Sequence, residues 1–243
     1  MQFRTTVALV LLAMSPLAFG DDIESWDGEG EVGVLITSGN TEETNINSRI
    51  ALKYEEAEWR NTGEFRSAYS RSDDVTTAEK YRANLQSDYK FEGSQYVFVR
   101  GAYEDDRFSG YDFQSSLTTG YGNQIWQRGE DSFLDLSAGL GYRFNKLEEP
   151  DSDGNRDEEE AIARLAGQFD CALSENALFR QKLSTEIGLD ENNTVTESET
   201  SLQATVVGNL SMKLAYLVQH ISDEPEGADD TDTEISLSLL YGF

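Results

Sequence analysis

The residues in this sequence that could do chemistry are few in kind. There is one histidine, His220, and one cysteine, Cys171. A metal centre built from several imidazoles of one chain is therefore excluded, and so is a disulfide framework. His220 stands two residues before Ser222, and a serine beside a base is the minimum of an activated nucleophile. That pair supports an alternative function, an outer-leaflet lipid hydrolase using His220 and Ser222, for which the sequence supplies no third orienting group. Asp151, Asp153, Asn155 and Asp157 space four oxygens as a calcium loop does, but Arg156 replaces its glycine and Ile162 its closing glutamate. The expectation there is no resident cofactor and only loosely held Ca2+ or Mg2+ on acidic outer loops, with Asp151, Asp153 and Asp157 as weak candidate ligands. Charge is what the chain has in quantity: 46 Asp and Glu against 19 Lys and Arg, a formal net charge of −27. Such a polyanion would be repelled by nucleic acid, which is excluded as a general partner.

The elements that position these charges are legible from a period of two. Over Thr233 to Phe243, Ile235, Leu237, Leu239, Tyr241 and Phe243 alternate with Glu234, Ser236, Ser238 and Gly242. This is a β-strand with one apolar face, and a chain that stops mid-strand leaves an open edge unless the sheet closes on itself. Twelve such segments can be marked, at 26–37, 44–55, 59–69, 79–91, 95–104, 116–126, 132–144, 160–169, 177–189, 195–210, 212–222 and 233–243. The fifth is the least regular, because Tyr96 and Phe98 oppose Val97, Val99 and Tyr103. The apolar parity is nearly free of Asp, Glu, Lys and Arg. The other parity carries Arg49, Glu64, Arg66, Arg82, Arg100, Asp135, Arg143, Arg164, Lys182 and Glu186, read as lumen-lining and net basic.

Trp26, Tyr54, Trp59, Phe91, Phe169, Phe179 and Phe243 fall at one set of segment ends, and Tyr69, Tyr81, Tyr103 and Phe144 at the other, as interfacial girdles do. Short turns follow the even segments and mostly longer, acidic connections follow the odd ones. The pattern predicts an all-β fold: a transmembrane antiparallel up-and-down β-barrel of 12 strands in the bacterial outer membrane. Met1–Gly20, with Arg4, an apolar core and small residues at cleavage-like spacing, reads as a secretory signal peptide, leaving 21–243 as the barrel domain. No other apolar run approaches the length of a spanning helix.

Trp26-Asp27-Gly28-Glu29-Gly30-Glu31-Val32-Gly33, followed by Thr37-Ser38-Gly39-Asn40-Thr41-Glu42 and Asn45, resembles the opening of the YdiY-like, salt-induced outer-membrane proteins. The resemblance extends over the mature chain and implies an outer-membrane location and a link to salt or envelope stress, with no catalytic residues to carry over. Two functions stay open. The interior charges either line a narrow passive channel that favours anionic solutes, or pair across the lumen as a structural envelope barrel. The expected partners are outer-membrane lipid and lipopolysaccharide, and the barrel-assembly machinery through the C-terminal strand ending at Phe243.

Overall fold

Alternation at period two commits each segment to a strand with two chemically distinct faces, and a computed structural model of the chain builds twelve of them. The structure describes residues 26–37, 43–73, 75–91, 93–129, 131–150, 154–190, 193–223 and 230–243. The strands are β1 (Trp26–Thr37), β2 (Glu43–Glu55), β3 (Trp59–Ser72), β4 (Val75–Phe91), β5 (Gln95–Asp106), β6 (Tyr111–Gln127), β7 (Phe133–Leu147), β8 (Asp157–Ser174), β9 (Ala177–Gly188), β10 (Thr194–Val207), β11 (Leu210–Ile221) and β12 (Thr231–Gly242). Each pairs antiparallel with its chain neighbours, and β1 pairs with β12, so the sheet closes as an up-and-down barrel. Both ends of the described chain lie at one rim, the terminus end. The connections after the odd strands lie at the other, the loop end.

Several strands outrun their apolar stretches. Residues 72–78 and 105–114, expected as loops, are largely ladder: β4 begins at Val75, β5 ends at Asp106 and β6 begins at Tyr111. The 18 residues of β8 would cover roughly 40 Å of height at a tilt near 45°, more than an apolar band of roughly 25 Å requires. Alternation of hydrophobicity is needed only where one face meets hydrocarbon. Above that band both faces are wet, and backbone pairing alone can continue the strand. Acidic residues assigned to loops thus enter the ladder, as where Lys80 opposes Asp106 and Lys146 opposes Asp157.

The outer face is apolar. Val32, Ile50, Leu85, Leu140, Leu214 and Ile235 all stand exposed on it. Aromatic pairs ring its terminus end: Trp26 with Tyr54 at 4.8 Å between ring centroids, Trp59 with Tyr89 at 5.3 Å, and Trp126 with Phe169 at 6.0 Å. Tyr103 and Phe113, 5.9 Å apart, stand toward the loop end. No helix among the described residues is long and apolar enough to cross a membrane. A closed barrel is the other way a backbone satisfies every polar group in lipid.

Closure is made by the last residue. Gly28 donates its N–H to the Phe243 carbonyl at 2.8 Å, and Phe243 returns the bond to Gly28 at 2.9 Å. A Cβ at position 28 would lie 2.3 Å from the Phe243 ring, so the ring lies flat over the glycine. The β1–β12 ladder is short, running from Glu29 opposite Gly242 to Val32 opposite Leu239. On its other side β1 pairs along its whole length with β2, from Trp26 opposite Tyr54 to Thr37 opposite Glu43.

Candidate functional site

The register places a row of charge around the inner wall. Glu31 on β1 opposes Arg49 on β2, which opposes Arg66 on β3, then Arg82 on β4, then Glu104 on β5. Three adjacent guanidiniums repel, so the row holds only because carboxylates intercalate. Arg49 reaches Glu29 at 2.8 Å and Glu64 at 2.7 Å, and Glu64 is shared with Arg66 at 2.7 Å. Arg82 lies 2.5 Å from both Glu104 and Glu197 and also bonds Gln219.

Several of these bonds cross the lumen. Arg66 on β3 meets Glu199 on β10 at 2.7 Å, Arg82 on β4 meets Glu197 on β10, and Lys80 on β4 meets Gln219 on β11 at 2.9 Å. Lys213 on β11 joins Glu199 to Glu31 at 3.1 and 3.2 Å. Lys182 opposes Glu199 in the β9–β10 register and adds positive charge beside it. Glu199 is only 3% exposed.

A second cluster lies on the adjoining wall, where three arginines converge on Glu186. Arg100 is 3.3 Å from it, Arg143 3.6 Å and Arg164 3.6 Å, while Arg143 also reaches Glu160 at 3.5 Å. Arg164 Nε is buried with no hydrogen-bond partner among the described residues. Three guanidiniums against the two carboxylates of Glu186 and Glu160 leave this patch with surplus positive charge and an unused donor at Arg164 Nε.

The irregular fifth segment has a simple explanation. Tyr96 and Phe98 point inward, 4% and 2% exposed, and lie on the glycines of β6 and β7. Tyr96 donates to Asp135 at 2.6 Å, and the Arg60 guanidinium sits 4.8 Å from its ring centroid. Asp135 thus belongs to an aromatic wall and stands apart from the arginine row.

Above the row a cavity of about 750 Å3 opens, floored by Arg49, Arg66, Glu199 and Lys213 and reaching Phe108 and Ser109 at the loop end. The interior is not the net basic surface expected. Glu55, Glu104, Asp106, Glu160, Asp170, Glu197 and Glu199 join it through ion pairs, against one further cation, Lys80. Only Asp106 and Asp170 entered with the longer strands; Glu55, Glu104, Glu160, Glu197 and Glu199 were legible, because each lies within its segment on the parity opposite to the apolar face.

Residues 30–243 match the family described as "Protein of unknown function, DUF481". The chain belongs to that family. A relative in Escherichia coli strain K12, "Uncharacterized protein YdiY", is 28% identical over 221 residues, covering 90% of this chain and 83% of that protein. Among solved structures, the translocator domain of the autotransporter NalP from Neisseria meningitidis aligns with a TM-score of 0.49 and 10% identity, covering 90% of this chain and 86% of that one. The NanC porin aligns at 0.49 and 13%, covering 90% and 98%. The KdgM porin aligns at 0.43 and 14%, covering 90% and 99%.

The closed strand order, apolar exterior, aromatic girdle and charged interior make this DUF481 chain a bacterial outer-membrane β-barrel. In the DUF481 barrel His220 and Ser222 have structural partners. His220 Nδ1 is 2.9 Å from the Thr231 hydroxyl, and the Ser222 oxygen accepts the Thr194 N–H at 2.8 Å. Of the candidate calcium ligands, Asp157 opens β8 opposite Lys146. Asp151 and Asp153, like residues 1–20, expected as a signal peptide, and residues 38–42, lie outside the described residues.

Proposed function

We propose that this barrel is a narrow passive pore that rests nearly shut behind ion pairs strung across its lumen. The observation that carries the reading is the Arg66–Glu199 pair, 2.7 Å long, joining opposite walls at the floor of the cavity. A barrel of this size has room for side chains to fill or line its bore, so paired charges set whether it conducts. The surplus of guanidinium around Glu186 favours anions over cations in what passes.

The link to salt takes a physical form under this reading. Glu197, with 34% of its side chain exposed, is the wetter strap partner, and the screening length falls from about 10 Å at 0.1 M to about 3 Å at 1 M salt. Straps of that kind weaken with salt while Arg66–Glu199, better shielded, weakens less. Lipopolysaccharide at the rim, loosely held divalent cations on acidic loops and assembly through the strand ending at Phe243 belong to the same proposal as partners.

The test is single-channel recording of the refolded barrel in a planar bilayer, with reversal potential under a salt gradient. The wild-type chain should give small, infrequent, anion-preferring openings that become more frequent as salt rises. Arg66→Met with Glu199→Leu should give larger, longer openings, and Arg100→Ala should weaken the anion preference. Silence from both the wild-type and the double variant, in folded preparations, would refute the pore.

A further inference from the structure

The cavity does not end at the inner wall. Beyond Val32 and Leu239 the β1–β12 ladder stops, although β1 continues to Thr37 on β2 and β12 begins as early as Thr231 on β11. Gly33 still lies close, a Cβ there falling 3.0 Å from the Leu237 carbonyl, and past it the two strands run on with no ladder pair between their facing edges among the described residues. The cavity lining includes Val34, Ile235 and Leu237, whose exposed side chains belong to the apolar outer face, together with the inward Arg66, Glu199 and Lys213. One continuous space therefore reaches from the charged interior to the lipid-facing surface.

We propose that this seam is a side door through which a phospholipid of the surrounding bilayer reaches the cavity. Unpaired strand edges facing hydrocarbon are not tolerated, so an open seam must be met by polar groups. The cavity is polar and roomy enough for water to meet them from inside, and a lipid headgroup can do the same. The chemistry at the two ends of the space fits one amphiphile. Val34, Ile235 and Leu237 flank the outer side, where an acyl chain stays in apolar contact. Arg66 and Lys213 offer cations for a phosphate, and Glu31 and Glu234 offer carboxylates for an ammonium head. Across the back of the seam Asn47 on β2 donates to Glu234 on β12 at 2.8 Å, passing over β1. That bond is the latch of the door.

Lipid entry through the seam does not depend on conduction along the barrel axis, and lipid contact alone reports it. The chain carrying Cys171→Ser, Val34→Cys and Leu237→Cys is refolded into phosphatidylcholine vesicles whose acyl chains bear a diazirine, and photolabelled sites are mapped by mass spectrometry. Ala68 and Ala215 report the interior, while Leu85 and Leu140 report the outer face. In the reduced protein, interior sites are labelled alongside outer ones. Closing the cysteine pair, by oxidation or with a short bis-maleimide, lowers interior labelling about tenfold and leaves the outer sites unchanged. Asn47→Ala raises interior labelling. Interior sites unlabelled in the reduced protein while outer sites are labelled, or interior labelling unchanged once the seam is bridged, would overturn the side door.

Discussion

The wall formed by β5, β6 and β7 and the seam between β1 and β12 use one device to different extents. In the wall, Phe98 lies over Gly120 and Gly139, where a Cβ would come within 2.8 and 3.1 Å of its ring, and Tyr96 lies over Gly122. The ladder beneath them runs from Gln95 opposite Asn123 to Glu104 opposite Gln114. In the seam, Phe243 lies over Gly28 at the terminus end, and the ladder stops at Val32. An aromatic ring on a glycine lets two strands approach closely and fills the space a side chain would have held. Repeated along the wall it holds the strands together over their length; used once at the seam it fastens only one end.

Breaking the wall should cost most. Phe98→Ala removes a ring that is 2% exposed and leaves a cavity among glycines that cannot fill it, so the unfolding free energy in micelles should fall by about 3–5 kcal/mol by urea titration. Breaking the strap across the lumen should cost nearly as much. Arg66→Ala leaves Glu199 buried and partly uncompensated, for a loss of about 3 kcal/mol, whereas Arg66→Met with Glu199→Leu should recover most of it. Equal stability for the single and double variants would mean that the pair does not act as a unit.

The seam should be softer. Gly28→Val displaces the Phe243 ring and should cost about 1–3 kcal/mol, seen as a lower melting temperature of the heat-modifiable folded band on electrophoresis. A loss matching that of Phe98→Ala would show the seam to be as integral as the wall and dissolve the contrast. Asn47→Ala, which removes one partly buried hydrogen bond, should cost about 1 kcal/mol and speed amide exchange in β12 ahead of β6. Lys53→Ala marks the bottom of the scale. Its pairs with Asp27 and Glu55 are solvent-exposed, and the change should stay within about 0–1 kcal/mol.

Strand count, the closing role of Phe243 and the face most residues take were legible from the chain alone, because parity and turn positions are local properties; Tyr96 and Phe98, apolar yet inward, took theirs from the glycines they pack on. Arg66 and Glu64 are visible as inward residues without any fold, and so was Glu199 once the parity of its strand is followed. Strand ends were legible only where one face meets lipid; above that belt, pairing continues without a hydrophobic signal, as β4 and β8 show. Which inward residues meet was decided by the tertiary structure alone. Arg66 and Glu199 are 133 positions apart and touch because strand tilt and closure bring β3 and β10 face to face at one height. The short β1–β12 ladder has the same origin: each strand carries its own alternation, and how far two of them pair depends on where the closing barrel sets their edges.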